Sequence, residues 1–179
     1  MKAILLGGDT MRLIADSALL RCNKPLFLDD ASQWSIKVCP AIKISRLGFH
    51  IKEKFAARYY DSASAVGICI PNEWAAAPWT APEVMMARDN CLIEGAWVTL
   101  DERMAGTRLD YGANGLSGSV TLGDLGVDKA IAALSCHMTF KTGDILVFAG
   151  HSLDIAAQEA AGEIKTKLNG TGCLDFRIK

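Results

Sequence analysis

Trp34 to Ile44 alternates apolar and more polar residues. Trp34, Ile36, Val38, Pro40, Ile42 and Ile44 are one set, and Ser35, Lys37, Cys39, Ala41 and Lys43 the other. Successive side chains of a strand point to opposite faces, so the pattern predicts one core face and one polar face. Pro40 has no N–H for a ladder, which predicts an edge position or a bulge. Shorter apolar runs predict strands at Lys2–Leu6, Pro25–Leu28, Ala65–Ile70, Cys91–Leu100 and Ile145–Phe148. Asn114-Gly115 is a good hairpin turn between strands within Leu109–Leu122, and Asn169–Gly172 turns a strand at Ile164–Leu168 into a return at Leu174–Ile178. A spacing of four joins Ile51, Phe55 and Tyr59 in a predicted helix over Ile51–Asp61. Val127, Ile131, Leu134 and Met138 predict a second helix over Val127–Met138. Asp16–Lys24 reads as irregular or briefly helical, and Pro71–Pro82 as a loop whose Trp74 and Trp79 line a ligand pocket, cover the core or meet a second subunit, the last being favoured. Many strands with two real helices predict a β-rich α+β fold in one domain over 1–179.

Composition narrows the partners. The chain has 179 residues, half of them hydrophobic, and a net charge of -1. No basic excess is available to neutralise phosphates, so nucleic acid is not expected. The opening MKAILLGGDT is too short in its apolar run for a signal peptide, and no window reaches membrane-spanning length. A cytosolic protein without a membrane partner is the expectation. The six cysteines (Cys22, Cys39, Cys69, Cys91, Cys136 and Cys173) are dispersed and read as reduced, mostly buried thiols.

DILVFAGHSLD, Asp144 to Asp154, is the start of a nucleophile elbow by its apolar run and Gly-His-Ser. The elbow needs a glycine where Asp154 stands, and in that fold the histidine follows the serine. The three histidines, His50, His137 and His151, all precede Ser152. A strand ending in a polar turn is the better reading.

Three stretches carry a family resemblance: HIKEKFAARYYD (50–61), ALSCHMTFKTGDILVFAG (133–150) and GEIKTKLNGTGCLDFRIK (162–179), with EGAWVTLDE (94–102) between the first two. In this order and spacing they resemble the fumarylacetoacetate hydrolase family in its small single-domain form, most strongly over 24–179, with a shortened N-terminal lid region. The resemblance implies a mixed β-sheet roll with a few short helices, usually a homodimer, with Mg²⁺ or Mn²⁺ held by an E-x-E pair and an aspartate. It implies C–C bond chemistry on a 2-oxo acid or acylpyruvate, in which the metal polarises the dioxo group.

Carried over, the E-x-E pair falls on Lys37 and Cys39, the aspartate near Cys69 and a family lysine near Met86. The family's threonine-rich turn is replaced by Ala149-Gly150-His151-Ser152, which leaves Gly150, His151 and Ser152 as a candidate ligand turn. An ammonium repels a divalent cation, and a thiolate is too soft for Mg²⁺. No catalytic or metal-binding residue and no cofactor is therefore expected. The implied protein is a degenerate homologue, a ligand-binding or dimeric scaffold protein. The alternative is a working metal-dependent hydrolase, decarboxylase or isomerase on 2-oxo acids, with Mg²⁺ or Mn²⁺ on other ligands. Three side readings also arise: a zinc site of Cys39, Cys69 and a histidine; a reactive Cys39 thiol beside Lys37; and a relocated metal site among Asp61, Glu83, Asp89, Glu94 and Asp101.

Overall fold

The computed structural model describes residues 1–8, 10–21, 24–28, 30–72, 86–157 and 162–179. Trp74, Trp79, Glu83 and Cys22 lie outside them. Two sheets organise the described residues. The larger is nine-stranded, with β2 (Thr10–Ile14), β1 (Ala3–Gly7), β10 (Ile145–Phe148), β4 (Trp34–Ile44), β5 (Tyr60–Pro71), β6 (Leu92–Glu94) and β3 (Leu19–Arg21) in that order. β11 (Leu153–Ala156) also pairs with β4, and β7 (Val98–Thr99) with β5. The sheet is mixed: β1 runs parallel to β10 and β3 to β6, while β4 and β5 are antiparallel. The smaller sheet runs β13 (Thr171–Arg177), β12 (Glu163–Leu168), β8 (Arg108–Ala113), β9 (Leu116–Thr121). Helices α1 (Leu122–Leu125) and α2 (Val127–Ser135) follow β9. This is the β-rich α+β roll that the sequence predicts.

β4 has the predicted bounds but neither an edge position nor a bulge at Pro40. It lies between β5 on one side and β10 and β11 on the other. β10 pairs with residues 41 to 43 and β11 with 35 to 38, so Pro40 falls in the gap between them, where no neighbour requires its missing N–H. The register shift comes later, between Lys43 and Ile44. The more polar face is also largely buried, since Cys39 and Ala41 are fully enclosed.

Other elements differ from expectation. The helix predicted over Ile51–Asp61 is a 3-10 segment, Glu53–Arg58, and Phe55 is exposed rather than on a buried stripe. Tight 3-10 turns repeat every three residues, so a spacing of four does not line one face. Cys91–Leu100 is two short strands, β6 and β7. Gly95 between them sits where a Cβ would lie 1.9 Å from the carbonyl oxygen of Cys173. Pro25–Leu28 contributes a single bridge, Leu26 to Ile178. β2 and β11 were not anticipated. Asn114 and Gly115 both take positive φ, which is the expected two-residue hairpin turn.

The β4–β5 pair separates two apolar clusters. The larger contains Ile36, Val38, Ile42, Cys69, Leu146 and Phe148, and the smaller sheet and α2 pack on that side. The smaller contains Cys39, Ala41, Val66, Ile68, Met86, Cys91, Leu92, Ile145 and Val147, together with Ile14 and Ala18 of the N-terminal segment.

Candidate functional site

The register of β4 and β5 decides which side chains meet. Lys37 stands opposite Ile68, Cys39 opposite Val66, and Ile36 opposite Cys69. Directly opposed residues share a face, so Lys37, Cys39, Val66 and Ile68 lie on one side and Cys69 on the other. Cys39, Ile68 and Met86 are at most 2% exposed and belong to the smaller cluster.

Lys37 lies at the rim. Its Nζ is 2.6 Å from Oδ2 of Asp154, the residue directly across from it on β11. Ser152 Oγ donates to the other carboxylate oxygen at 2.9 Å. Burial pushes the Asp154 carboxyl up, but hydrogen bonds from Lys37 and Ser152 outweigh it and hold the group below its ordinary value. Burial pushes the Cys39 thiol up to about 12; the Lys37 charge opposes this and Asp154 adds to it. Lys37 therefore does not make Cys39 a thiolate at neutral pH, which overturns the reactive-thiol reading. A thiol buried in hydrocarbon is inert whatever cation stands at its edge.

The Ala149–His151 segment is a 3-10 turn at the end of β10. Tyr111 donates its hydroxyl hydrogen to the His151 carbonyl oxygen at 2.5 Å, fastening the turn to β8. Ser152 bonds Asp154 rather than a histidine, so no nucleophile–base pair forms here. Gly150 and His151 border a shallow groove of about 320 Å³ with Leu6, Gly8 and Phe148. Leu6 and Phe148 pack with the larger cluster, so this groove is separate from the Cys39 side.

The remaining carboxylates are dispersed. Glu94 accepts from Lys43 Nζ at 3.0 Å and from Trp97 Nε1 at 2.7 Å, with the lysine 4.2 Å above the indole. Asp61 accepts from the neighbouring Ser62 hydroxyl. Among the described residues, no group of three His, Cys, Asp or Glu side chains is placed to hold a metal ion. The zinc reading fails on the same geometry, because Cys39 and Cys69 point to opposite faces of the sheet.

No protein-family model matches the sequence, and no curated protein does either. Solved structures do match. A 5-carboxymethyl-2-hydroxymuconate delta-isomerase from Mycobacterium smegmatis superposes with a TM-score of 0.74 at 16% identity, over 99% of this chain and 78% of that one. Maleylpyruvate hydrolase from Sphingobium sp. SYK-6, in complex with manganese(II) and pyruvate, gives 0.75 at 16% identity, over 99% and 69%. A provisional fumarylacetoacetate hydrolase family protein from Yersinia pestis CO92 gives 0.74 at 18% identity, over 99% and 92%. The chain has the fumarylacetoacetate hydrolase fold.

On the fumarylacetoacetate hydrolase fold, the positions carried over from the resemblance do not all converge. Lys37 and Cys39 share the inward direction of β4, and Met86 packs with Cys39 in one cluster. Cys69 is corrected: it faces away, and the β5 residue opposite Lys37 is Ile68. A one-residue slip exchanges the faces of a strand, and spacing alone did not fix the register. The side chains on this side are an ammonium already paired to a carboxylate, a protonated thiol, an alkyl group and a thioether. None is a free hard oxygen donor, so this set does not fit Mg²⁺ or Mn²⁺. Asp154, Tyr111 and Ile68 were missed from sequence. Asp154 was legible in the alternation Leu153, Asp154, Ile155, Ala156, but the alanines after it resemble a helix.

Proposed function

We propose that this chain is a member of the fumarylacetoacetate hydrolase family that retains the scaffold and has lost the metal-dependent reaction. One observation carries the reading: the face of β4 and β5 on which the family resemblance sets its carboxylates is packed hydrocarbon. Cys39, Ile68 and Met86 fill it, in one buried cluster with Ile14 and Ala18. Burying an ion there would need both donors and space. The lysines on this face of β4 are already paired, Lys37 with Asp154 and Lys43 with Glu94. The chain then acts as a scaffold, in the form of a homodimer or as a carrier of a small ligand at Gly150–Ser152.

Titration calorimetry with Mn²⁺ and with Mg²⁺, together with acylpyruvate turnover with and without each ion, tests the reading. No heat of specific binding and no metal-dependent turnover are expected. Metal-dependent turnover would establish the alternative, an isomerase or hydrolase of 2-oxo acids like those named for the solved neighbours, and would overturn this proposal.

A further inference from the structure

The segment from Ser45 to Arg58 displays apolar side chains that the fold does not need. Leu47 is 70% exposed, Phe49 52% and Phe55 39%. Their backbone is firmly held. Gly48 exchanges hydrogen bonds with Phe140 at 3.1 and 2.8 Å, the His50 N–H reaches the Ser135 carbonyl at 2.9 Å, and the Ile51 N–H reaches Ser135 Oγ at 2.8 Å. A Cβ on Gly48 would lie 2.5 Å from the Tyr59 ring, so the turn is tight against its base. His50 takes a φ of 51° to complete it. Leu47 and Phe49 thus stand exposed on a pinned turn and contribute little to the core.

The surroundings are cationic. Arg46, Lys52, Lys54 and Arg58 are all exposed, and Glu53 is the one acid in the stretch, although the whole chain is net -1. Lys54 Nζ and the Arg58 guanidinium lie 5.0 and 4.9 Å from the Phe55 ring centroid. Exposed apolar side chains in one segment with exposed lysines and arginines suit an interface whose outer layer is anionic and whose next layer is hydrocarbon. A protein partner would need an acidic surface matched in shape to these side chains, whereas a bilayer surface adapts to them. Aliphatic Leu47, the most exposed of the three, has no stacking role toward nucleic-acid bases.

We infer that the 45–58 segment is a peripheral docking surface for membranes rich in anionic phospholipid, with Leu47 and Phe49 entering the interface and the four cations meeting the headgroups. This is attachment to a surface, distinct from spanning: no helix among the described residues is long and apolar enough to cross a bilayer. It is independent of whether the metal chemistry survives.

Co-sedimentation of the full chain with vesicles tests it, using equal parts phosphatidylglycerol and phosphatidylcholine against phosphatidylcholine alone. Pelleting with the anionic vesicles only, and its release by molar salt, are expected. The Leu47→Ser/Phe49→Ser variant should partition about tenfold more weakly or worse, because two apolar anchors are lost. Arg46→Glu/Lys54→Glu should abolish binding, while Leu13→Ser, at a leucine on β2 that is 53% exposed, should leave it unchanged. All three variants alter exposed side chains, so an unchanged melting temperature will show that the fold is intact. Failure of the parent chain to pellet with anionic vesicles would overturn the inference, as would pelleting indifferent to the variants in this segment. Two further outcomes also overturn it: a higher-mass species in size-exclusion chromatography that Leu47→Ser/Phe49→Ser reduces to a smaller one, which makes the segment a self-association surface, or retention by a single-stranded oligonucleotide without vesicle binding.

Discussion

Lys37 and Cys39 are two positions apart on β4, share a face, and meet opposite environments. Lys37 reaches water and Asp154; Cys39 is sealed. The Lys37–Asp154 pair is 31% and 59% exposed, so its coupling in a double-mutant cycle should be below about 1 kcal/mol. Because the folded Asp154 carboxyl is held below its ordinary value, the pair's contribution is present at neutral pH and fades as pH falls through the folded value. The buried thiols have the opposite sign. Cys39, Cys69 and Cys91 are pushed up by burial from 9.0 to about 12, 11 and 12. Between pH 9 and those values the unfolded chain has lost protons that the folded chain keeps, so stability should fall as pH rises above about 9. Cys39→Ala should flatten that slope in urea titrations run from pH 8 to 11, and an unchanged slope would contradict the burial. Iodoacetamide on native protein should label exposed Cys136 well before Cys39, Cys69 or Cys91.

At the scale of elements, close contacts explain where the strand pattern breaks. Gly95 separates β6 from β7 because the Cys173 carbonyl occupies the space of a side chain. Gly95→Ala should cost about 2–3 kcal/mol in chemical denaturation, since backbone must move. The turn that launches β10 is tied by Asp144, which is 1% exposed and accepts from the Lys2 and Lys141 backbone N–H groups and from Lys2 Nζ. Asp144→Ala leaves those donors unmatched and should cost about 2 kcal/mol, detectable as a lower urea midpoint. β4 was legible to the residue because its alternation is long. The 3-10 segment at Glu53–Arg58 was not, because six residues of apolar spacing fit more than one period.

At the scale of the molecule, β4–β5 carries a packed apolar cluster on each face. Ile68→Asp tests the packing of the smaller one: the new carboxylate enters an apolar cluster opposite a lysine already paired with Asp154, and the variant should lose about 4 kcal/mol or more rather than gain Mn²⁺ affinity. A stable Ile68→Asp protein that binds Mn²⁺ would show that the cluster opens easily. The sequence by itself determined the class of fold, the full extent of β4 and the Asn114-Gly115 hairpin, because periodicity and turn preference are local properties. Only the tertiary structure decided that Ile68 rather than Cys69 faces Lys37, that Asp154 neutralises the lysine, and that Ile14 and Ala18 join the cluster that buries the cysteine. Those facts depend on strand register and on segments distant in the chain, and a single residue of slip, invisible in composition or spacing, turns a side chain from one face of a sheet to the other.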